Sequence, residues 1–150
     1  MKEIERKFLV KNKDEVLSIV TYGTRIFQGY LFSEPDRSCR VRIKEQKASV
    51  TIKIGLNALI RDEYEFAIPL DEAQNLIRSC EAVIEKTRYL IPEGKLKWEI
   101  DVFHGKLEGL ILAEIELSHE HQEFNVPSWL GPEVTHNAEY LNVNLSKRLK

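Results

Sequence analysis

Short segments in which apolar and charged residues alternate make up most of this chain, and they constrain its fold more than any other feature. Side chains on a β-strand point alternately to the two faces of a sheet, so residues two apart share a face. Eight such segments run over residues 3–10, 25–32, 38–46, 48–54, 61–69, 85–91, 97–103 and 110–117. Turn signals such as Pro92-Glu93-Gly94 separate several of them. Eight strands with few helices indicate a closed antiparallel barrel or a sandwich.

Helical patterns are few and short. Residues 14–20 are predicted to form a short helix, and residues 71–80 a clearer one. Asp71 is expected to cap the second helix, with Gln74 completing a capping box. Asn137 is expected to cap a last helix near the end of the chain. These helices would lie at the periphery of the strands.

The length, net charge and number of cysteines limit the classes of protein to which the chain can belong. The 150 residues are 43% hydrophobic, which favours a single domain over residues 1–150 with a substantial core. The 22 basic and 24 acidic residues give a net charge of −2, which argues against a nucleic acid duplex as partner. Only Cys39 and Cys80 are present, and no apolar run approaches the ~20 residues of a membrane span. We therefore expect a soluble cytoplasmic protein with reduced thiols and no membrane partner.

On most predicted strands, the face opposite the apolar residues carries two charges of one sign. The acidic pairs are Glu63/Glu65, Glu99/Asp101 and Glu114/Glu116, the basic pairs are Arg40/Arg42 and Lys86/Arg88, and the first strand carries Glu3, Glu5 and Lys7. A sheet with one solvated face explains any single strand, but solvated faces usually mix both signs with Ser, Thr and Gln. Acidic and basic pairs on neighbouring strands suit a divalent metal ion bound to a polyphosphate. We therefore expect the charged faces to line a closed barrel wide enough for a ligand, with the apolar faces outward.

The same residues match a known family. The segment Glu3-Ile4-Glu5-Arg6-Lys7 resembles the Glu-x-Glu-x-Lys signature of the CYTH domain, the triphosphate tunnel metalloenzyme superfamily. It is followed in family order by Gln28-Gly29-Tyr30-Leu31, Arg40-x-Arg42, Thr51-Ile52-Lys53, Glu63-x-Glu65, Glu85-Lys86-Thr87-Arg88-Tyr89, Asp101 and Glu114-Ile115-Glu116. The resemblance covers nearly the whole chain. It implies a mainly β (α+β) fold, a closed eight-stranded antiparallel β-barrel tunnel with a charged interior and a few peripheral helices.

The resemblance also implies roles for individual residues. The residues implied to bind a triphosphate are Lys7, Arg40, Arg42, Lys53, Lys86 and Arg88. Those implied to bind or orient one or two metal ions, Mg²⁺ or Mn²⁺, are Glu3, Glu5, Glu63, Glu65, Glu114 and Glu116, with Asp101 nearby. Tyr30 and Lys86 resemble a Tyr–Lys pair proposed as a catalytic dyad in compact bacterial members.

The activities of the family leave several functions open. They include hydrolysis of inorganic tripolyphosphate, of thiamine triphosphate and of nucleoside triphosphates, and cyclic AMP synthesis of the class IV adenylate cyclase type. The short chain, with its Glu-Lys-Thr-Arg-Tyr sequence and no evident segment for an adenine pocket, favours inorganic tripolyphosphate. Outside the enzymes, the alternative is a non-catalytic sensor of polyphosphate or nucleotide. A homodimer also stays open, because an exposed strand or an apolar helix face could pair two chains.

Overall fold

The structure is a computed structural model that describes residues 2–55, 57 and 59–147. In this part of the chain the elements follow the order β1 (Lys2–Val10), α1 (Lys13–Ile19), β2 (Gly23–Glu34), β3 (Arg37–Lys44), β4 (Lys47–Gly55), β5 (Ile60–Ile68), α2 (Leu70–Arg78), β6 (Val83–Glu93), β7 (Leu96–Phe103), β8 (Ile111–Glu116), β9 (Leu130–Glu133) and α3 (Asn142–Lys147). Short 3-10 turns occur at Gly105–Leu107 and Ala138–Tyr140. The helices of the described residues are too short to span a bilayer.

Strands β1 to β8 close into a ring of antiparallel strands. Their order is β5-β4-β3-β2-β6-β7-β8-β1, and β1 pairs again with β5 to complete the ring. Glu3 lies opposite Arg61 at this closing pair. The other end of β1 pairs with β9, where Val10 lies opposite Leu130. The ring confirms the predicted eight-stranded antiparallel fold, to which β9 adds a strand that the sequence pattern did not predict.

The strand register gathers the charged residues on the inner face of the ring. Lys7 on β1 lies opposite Glu114 on β8, and Arg88 on β6 lies opposite Asp101 on β7. Directly opposed residues of antiparallel strands point to the same face. Charges of opposite sign therefore meet inside the ring at these two positions, whereas Glu5 lies opposite Glu116 and Glu99 lies opposite Glu114.

Apolar residues pack on the outside of the ring. The largest cluster covers the outer faces of β1, β7 and β8, where the Trp98 ring contacts Phe8 and Trp129 edge to face, with ring centroids 5.7 and 5.5 Å apart. Val16 of α1 is fully buried in this cluster. A second outer cluster holds Ala73 of α2 against β3 and β4. The hydrophobic stabilisation of the fold thus comes largely from the outer face.

One end of the ring is closed by apolar side chains. Phe103 lies opposite Lys86, and Leu112 lies opposite Asp101, so both point inward. Leu145 of α3 is fully buried against this group. The inner face therefore changes along the ring axis from charged residues to an apolar plug that the C-terminal helix completes.

Two helix ends differ from the sequence prediction. Pro69 occupies the N-cap position of α2 without a side-chain cap. Asp71 lies inside the first turn, where its carboxylate accepts the backbone N–H of Glu72 at 3.0 Å, so the predicted capping box is wrong. The fixed φ of proline suits a helix start, which explains the earlier beginning. Asn137 caps the 3-10 turn that follows it and not α3, which begins five residues later.

Candidate active site

The inner face of the ring surrounds a cavity of about 700 Å³. Its carboxylates are Glu3, Glu5, Glu63, Glu65, Glu99, Glu114 and Glu116, and its cationic side chains are Lys2, Arg40, Arg42, Lys44, Lys53 and Arg88. A smaller chamber adjoins the cavity and is lined by Lys7, Tyr30, Ser38, Thr51, Arg61 and Leu141, together with Glu5, Arg40, Lys53 and Asn142 from the cavity wall. The cavity, which holds most of the carboxylates, therefore adjoins a chamber in which cationic side chains predominate.

Three carboxylates from adjacent strands form a candidate metal site. Oxygen atoms of Glu5 on β1, Glu99 on β7 and Glu114 on β8 all lie within 4.8 Å of one another. Oε1 of Glu114 is buried and accepts no hydrogen bond from the described residues, although Nζ of Lys7 lies 3.4 Å away. Clustered carboxylate oxygens with an unused acceptor are what a hard divalent cation requires. The metal prediction omitted Glu99, which the alternation places on the same inner stripe as Asp101.

The carboxylates of this group differ in their proton affinity. Burial and the nearby charge of Glu114 raise the pKa of Glu5 well above its usual value. Burial also opposes ionisation of Glu114, but Lys7 and the other cations outweigh it and lower the pKa of Glu114 to about 2. Glu114 is therefore ionised at neutral pH, whereas the crowding of negative charge disfavours ionisation of Glu5.

A second acidic group lies beside the first. Nζ of Lys53 contacts Glu3 at 2.8 Å and Glu63 at 3.9 Å. Burial and a hydrogen bond with Glu63 raise the pKa of Glu3, and the same hydrogen bond lowers the pKa of Glu63. The pKa of Glu116 is raised by partial burial and by the charges of Glu3 and Glu99. Glu65 faces the same cavity and accepts a hydrogen bond from the hydroxyl of Thr51 at 3.4 Å.

Lys86, Arg88 and Asp101 form a buried ion-pair group between the cavity and the apolar plug. Nζ of Lys86 lies 2.6 Å from Asp101, and Arg88 donates to both oxygens of Asp101 at 2.7 and 2.8 Å. Burial lowers the pKa of Lys86 to about 7 against the opposing effect of Asp101. Burial opposes ionisation of Asp101, but Arg88 and Lys86 outweigh it and keep its pKa below the usual range. Both oxygens of Asp101 are thus engaged by cations, and Asp101 is not one of the three converging carboxylates.

Tyr30 lies in the smaller chamber, next to Arg40 and Lys7. Across the described residues, no hydrogen bond joins Tyr30 to Lys86, which is paired with Asp101 instead. The two members of the predicted Tyr–Lys pair are thus not joined by a hydrogen bond in the described part of the chain.

Two arginines on β3 have neutral partners. Arg42 donates from Nε and Nη2 to the amide oxygen of Gln28 at 3.0 and 2.8 Å. Arg40 donates to the hydroxyl of Thr51 at 3.4 Å. Burial and the charges of Arg40 and Arg88 lower the pKa of Arg42 to about 9. Among the described residues, no carboxylate forms a salt bridge with either arginine, so this side of the cavity holds positive charge without a direct ionic partner.

The structure adds residues to which the sequence assigned no role. Gln28 holds Arg42, and Arg61 lines the chamber with no ionic or hydrogen-bond partner among the described residues. The alternation on β5 contained the signal for Arg61, which lies two residues before Glu63. Asn142 gave no signal, because only the folding of α3 against the ring brings it to the cavity.

Comparisons with known proteins agree with this arrangement. The CYTH domain family matches residues 1–149. An inorganic triphosphatase from Acetivibrio thermocellus is 43% identical over 148 residues, covering 97% of this chain and 94% of that protein. An inorganic triphosphatase from Nitrosomonas europaea is 39% identical, covering 97% of each chain. A crystal structure of an inorganic triphosphatase, 32% identical, matches with a TM-score of 0.68 over 96% of this chain and 93% of that one. A putative adenylyl cyclase from Hippeastrum, described as having a dominant triphosphatase activity, has a TM-score of 0.60 over 78% of this chain and 80% of that one, but at 13% identity it supports the fold alone.

Proposed function

Because the chain belongs to the CYTH domain family, we propose that it is a metal-dependent triphosphatase that hydrolyses inorganic tripolyphosphate to diphosphate and phosphate. The observation that carries this proposal is the cavity, in which the carboxylates of Glu5, Glu99 and Glu114 lie in the same space as the guanidinium groups of Arg40 and Arg42. A metal-bound polyphosphate has both kinds of charge. The two curated relatives are named inorganic triphosphatases, which supports the choice of substrate.

The family implies a divalent metal ion, Mg²⁺ or Mn²⁺, and the carboxylates fit one. Glu5, Glu99 and Glu114 would hold it, since their oxygens converge and Glu114 has an unused acceptor. When bound, such an ion neutralises phosphate oxygens and activates water. Glu3, Glu63, Glu65 and Glu116 would hold or orient a second ion at the neighbouring acidic group. We assign Asp101 to positioning Lys86 and Arg88, because both of its oxygens already accept from these cations.

The basic residues would bind and align the phosphate groups. Those we assign to this role are Lys7, Arg40, Arg42, Lys53, Arg61 and Arg88, which line the cavity or the chamber, and Lys86, which is fully buried and bound to Asp101. Arginine binds phosphate oxygens bidentately, whereas lysine supplies a compact charge. Phosphoryl transfer requires mainly positioning and charge neutralisation, which a fixed array of cations provides.

Lys86 is our candidate for accepting a proton from the attacking water. Its pKa of about 7 leaves a substantial fraction of neutral amine at neutral pH, and Asp101 fixes Nζ at 2.6 Å. The water oxygen would bond to a terminal phosphorus, the bridging P–O bond would break, and diphosphate would leave. Tyr30 lies in the chamber, where its hydroxyl would orient a terminal phosphate.

We further propose that residues 1–150 form one domain that acts in the cytoplasm. Cys39 and Cys80 are both free thiols, in keeping with a reducing compartment.

A substrate panel tests the proposed function. Purified protein with Mg²⁺ or Mn²⁺ is assayed for phosphate release from tripolyphosphate, ATP and thiamine triphosphate, with EDTA as the metal-free control. We expect metal-dependent hydrolysis in which tripolyphosphate has the highest kcat/KM. Equal or faster turnover of ATP or thiamine triphosphate would contradict the substrate assignment. Cyclic AMP as the product would indicate a cyclase, and tight binding without turnover would indicate a sensor.

A further inference from the structure

Arg42 is the arginine of the inner face that a buried side-chain amide holds by two hydrogen bonds. Among the described residues of the inner face, ion pairs join Lys7 to Glu114, Lys53 to Glu3 and Glu63, Lys86 to Asp101, and Arg88 to Asp101 and Glu99. Arg42 instead donates two hydrogen bonds, of 3.0 and 2.8 Å, to the amide oxygen of Gln28. In the described part of the chain it forms no salt bridge. Its positive charge is therefore oriented but not neutralised.

Gln28 is placed for this contact by the strand register. It lies on the inner face of β2, opposite Arg42 on β3 and Ile84 on β6, and its exposed fraction is 0%. Its Nε2 atom is buried and has no hydrogen-bond partner among the described residues. A buried amide with an unused donor is unfavourable for folding. If stability alone determined position 28, a carboxylate that pairs with Arg42 or an apolar side chain that packs on Ile84 would be favoured there. The amide therefore indicates a functional requirement.

We propose that Gln28 is a positioning residue, which fixes the Arg42 guanidinium in the cavity while leaving its charge available to a phosphate group. Gln28 occupies Nε and Nη2 of Arg42, and the other N–H groups of the guanidinium are left to a ligand. Arg40 and Arg88 add positive charge around the same position. A polyanion is the ligand that relieves this crowding of cations. This inference rests on the proposed triphosphatase function, and it explains how one phosphate contact is prepared before the substrate arrives.

The substitution Gln28→Glu tests the requirement for a neutral partner. The glutamate has the same length and an acceptor for Arg42, but it neutralises the guanidinium. We expect an unchanged or raised Tm, together with a Kd for tripolyphosphate in EDTA and a KM with Mg²⁺ that both rise at least about tenfold. Gln74→Glu, on the exposed surface of α2, adds the same charge outside the cavity and should change neither value.

A second variant tests the hydrogen bonds themselves and keeps the inference testable if Gln28→Glu does not fold. Gln28→Met preserves the length of the side chain and its lack of charge but removes the acceptor, so Arg42 loses its fixed orientation. We expect a lower Tm and a KM raised several-fold, less than in Gln28→Glu. The positioning role therefore predicts that Gln28→Glu is the more stable variant and the weaker binder. A merely structural role predicts that affinity follows stability.

The outcomes separate this inference from the proposed function. If the wild-type protein neither binds nor hydrolyses tripolyphosphate, the proposed function fails. If the wild-type protein is active and Gln28→Glu binds tripolyphosphate as tightly, only the role of Gln28 is overturned. A Gln28→Met protein with wild-type KM and kcat would overturn it equally.

Discussion

At the scale of single residues, alternation along a strand predicts which face a side chain takes but not which partner it finds. Alternation places Glu5 and Lys7 on the inner face, and in the structure Glu5 lines the cavity and Lys7 the smaller chamber. The resemblance implies that Asp101 lies near the metal ions, and its oxygens accept hydrogen bonds from Lys86 and Arg88. Alternation alone does not predict these partners, which follow from the strand register that sets Arg88 opposite Asp101. Register depends on how eight strands close, and no single strand contains that information.

Lys86 offers the sharpest test of a single side chain. If its amine takes part in the chemical step, Lys86→Ala should lower kcat by about 10²-fold or more, as expected for the loss of a general base. Asp101 would keep its contacts with Arg88, which reduces the damage to folding. Lys47→Ala removes an exposed lysine at the turn between β3 and β4 and should leave kcat unchanged. Steady-state kinetics with tripolyphosphate decides the role, because a near-normal kcat with a raised KM would assign Lys86 to binding alone.

At the scale of elements, the strands with long alternating runs were predictable and the short one was not. β9 has only the four residues Leu130–Glu133, with a glycine and a proline in the middle, which is a poor strand signal. It forms because β1 offers it a pairing edge beyond the contact with β5, with Phe8 opposite Glu133. The ends of α2 and the start of α3 were missed for a related reason. Asp71 and Asn137 have the side chains of capping residues, but Pro69 takes the N-cap position of α2, and Asn137 caps a 3-10 turn that precedes α3.

The close packing of β9 on β1 makes Gly131 a test of this pairing. A Cβ atom at Gly131 would lie 2.9 Å from the backbone oxygen of Leu9 and 3.1 Å from the backbone nitrogen of Lys11. Backbone atoms cannot move aside as a flexible side chain does, so Gly131→Ala should destabilise the fold by about 1–3 kcal/mol. Thermal unfolding measures the effect. Pro132→Ala, at the exposed next position, is the control, and equal Tm values for the two variants would show that β9 tolerates a shift away from β1.

At the scale of the whole molecule, the fold holds together an interior in which like-charged side chains repel each other. The outer clusters around Trp98 and Ala73 supply hydrophobic burial, whereas the inner face holds like charges close together. The overall pattern of apolar residues outside and charged residues inside can be predicted from the sequence, because it repeats on most of the strands. The sequence does not predict how far the hydrophobic stabilisation of the outer face exceeds the electrostatic repulsion of the inner face, because the repulsion depends on distances between strands. A ligand that neutralises the interior should therefore stabilise the whole protein, by RT ln(1 + [L]/Kd) for a single site.

The pH dependence of stability tests this repulsion directly. In the folded protein, the pKa values of Glu3, Glu5 and Glu116 lie above their ordinary value, chiefly through burial. These three carboxyls therefore bind more protons in the folded state than in the unfolded chain above about pH 4.5, and their contribution to the free energy of unfolding must fall as pH rises through the raised values. The lowered pKa values of Glu63 and Glu114 act with the opposite sign, mainly below that pH. Each unit of upward shift corresponds to about 1.4 kcal/mol of stability lost over this range. The window ends below pH 7, because Lys86, with its pKa lowered to about 7, contributes with the opposite sign above that value.

We therefore expect urea unfolding in EDTA to give a lower free energy of unfolding at pH 6.5 than at pH 4.5. Saturating Mg²⁺ should raise stability most at the higher pH, since the cation replaces the protons on the carboxylates. Glu5→Gln removes the carboxyl whose pKa is most strongly raised among the three, so this variant should show a flatter pH dependence in EDTA and a smaller gain from Mg²⁺. Glu120→Gln changes an exposed glutamate after β8 and should behave as the wild-type protein. If stability is constant or rises between these pH values, or if Glu5→Gln has the wild-type slope, the carboxylates are not crowded in solution and the metal site must be sought elsewhere.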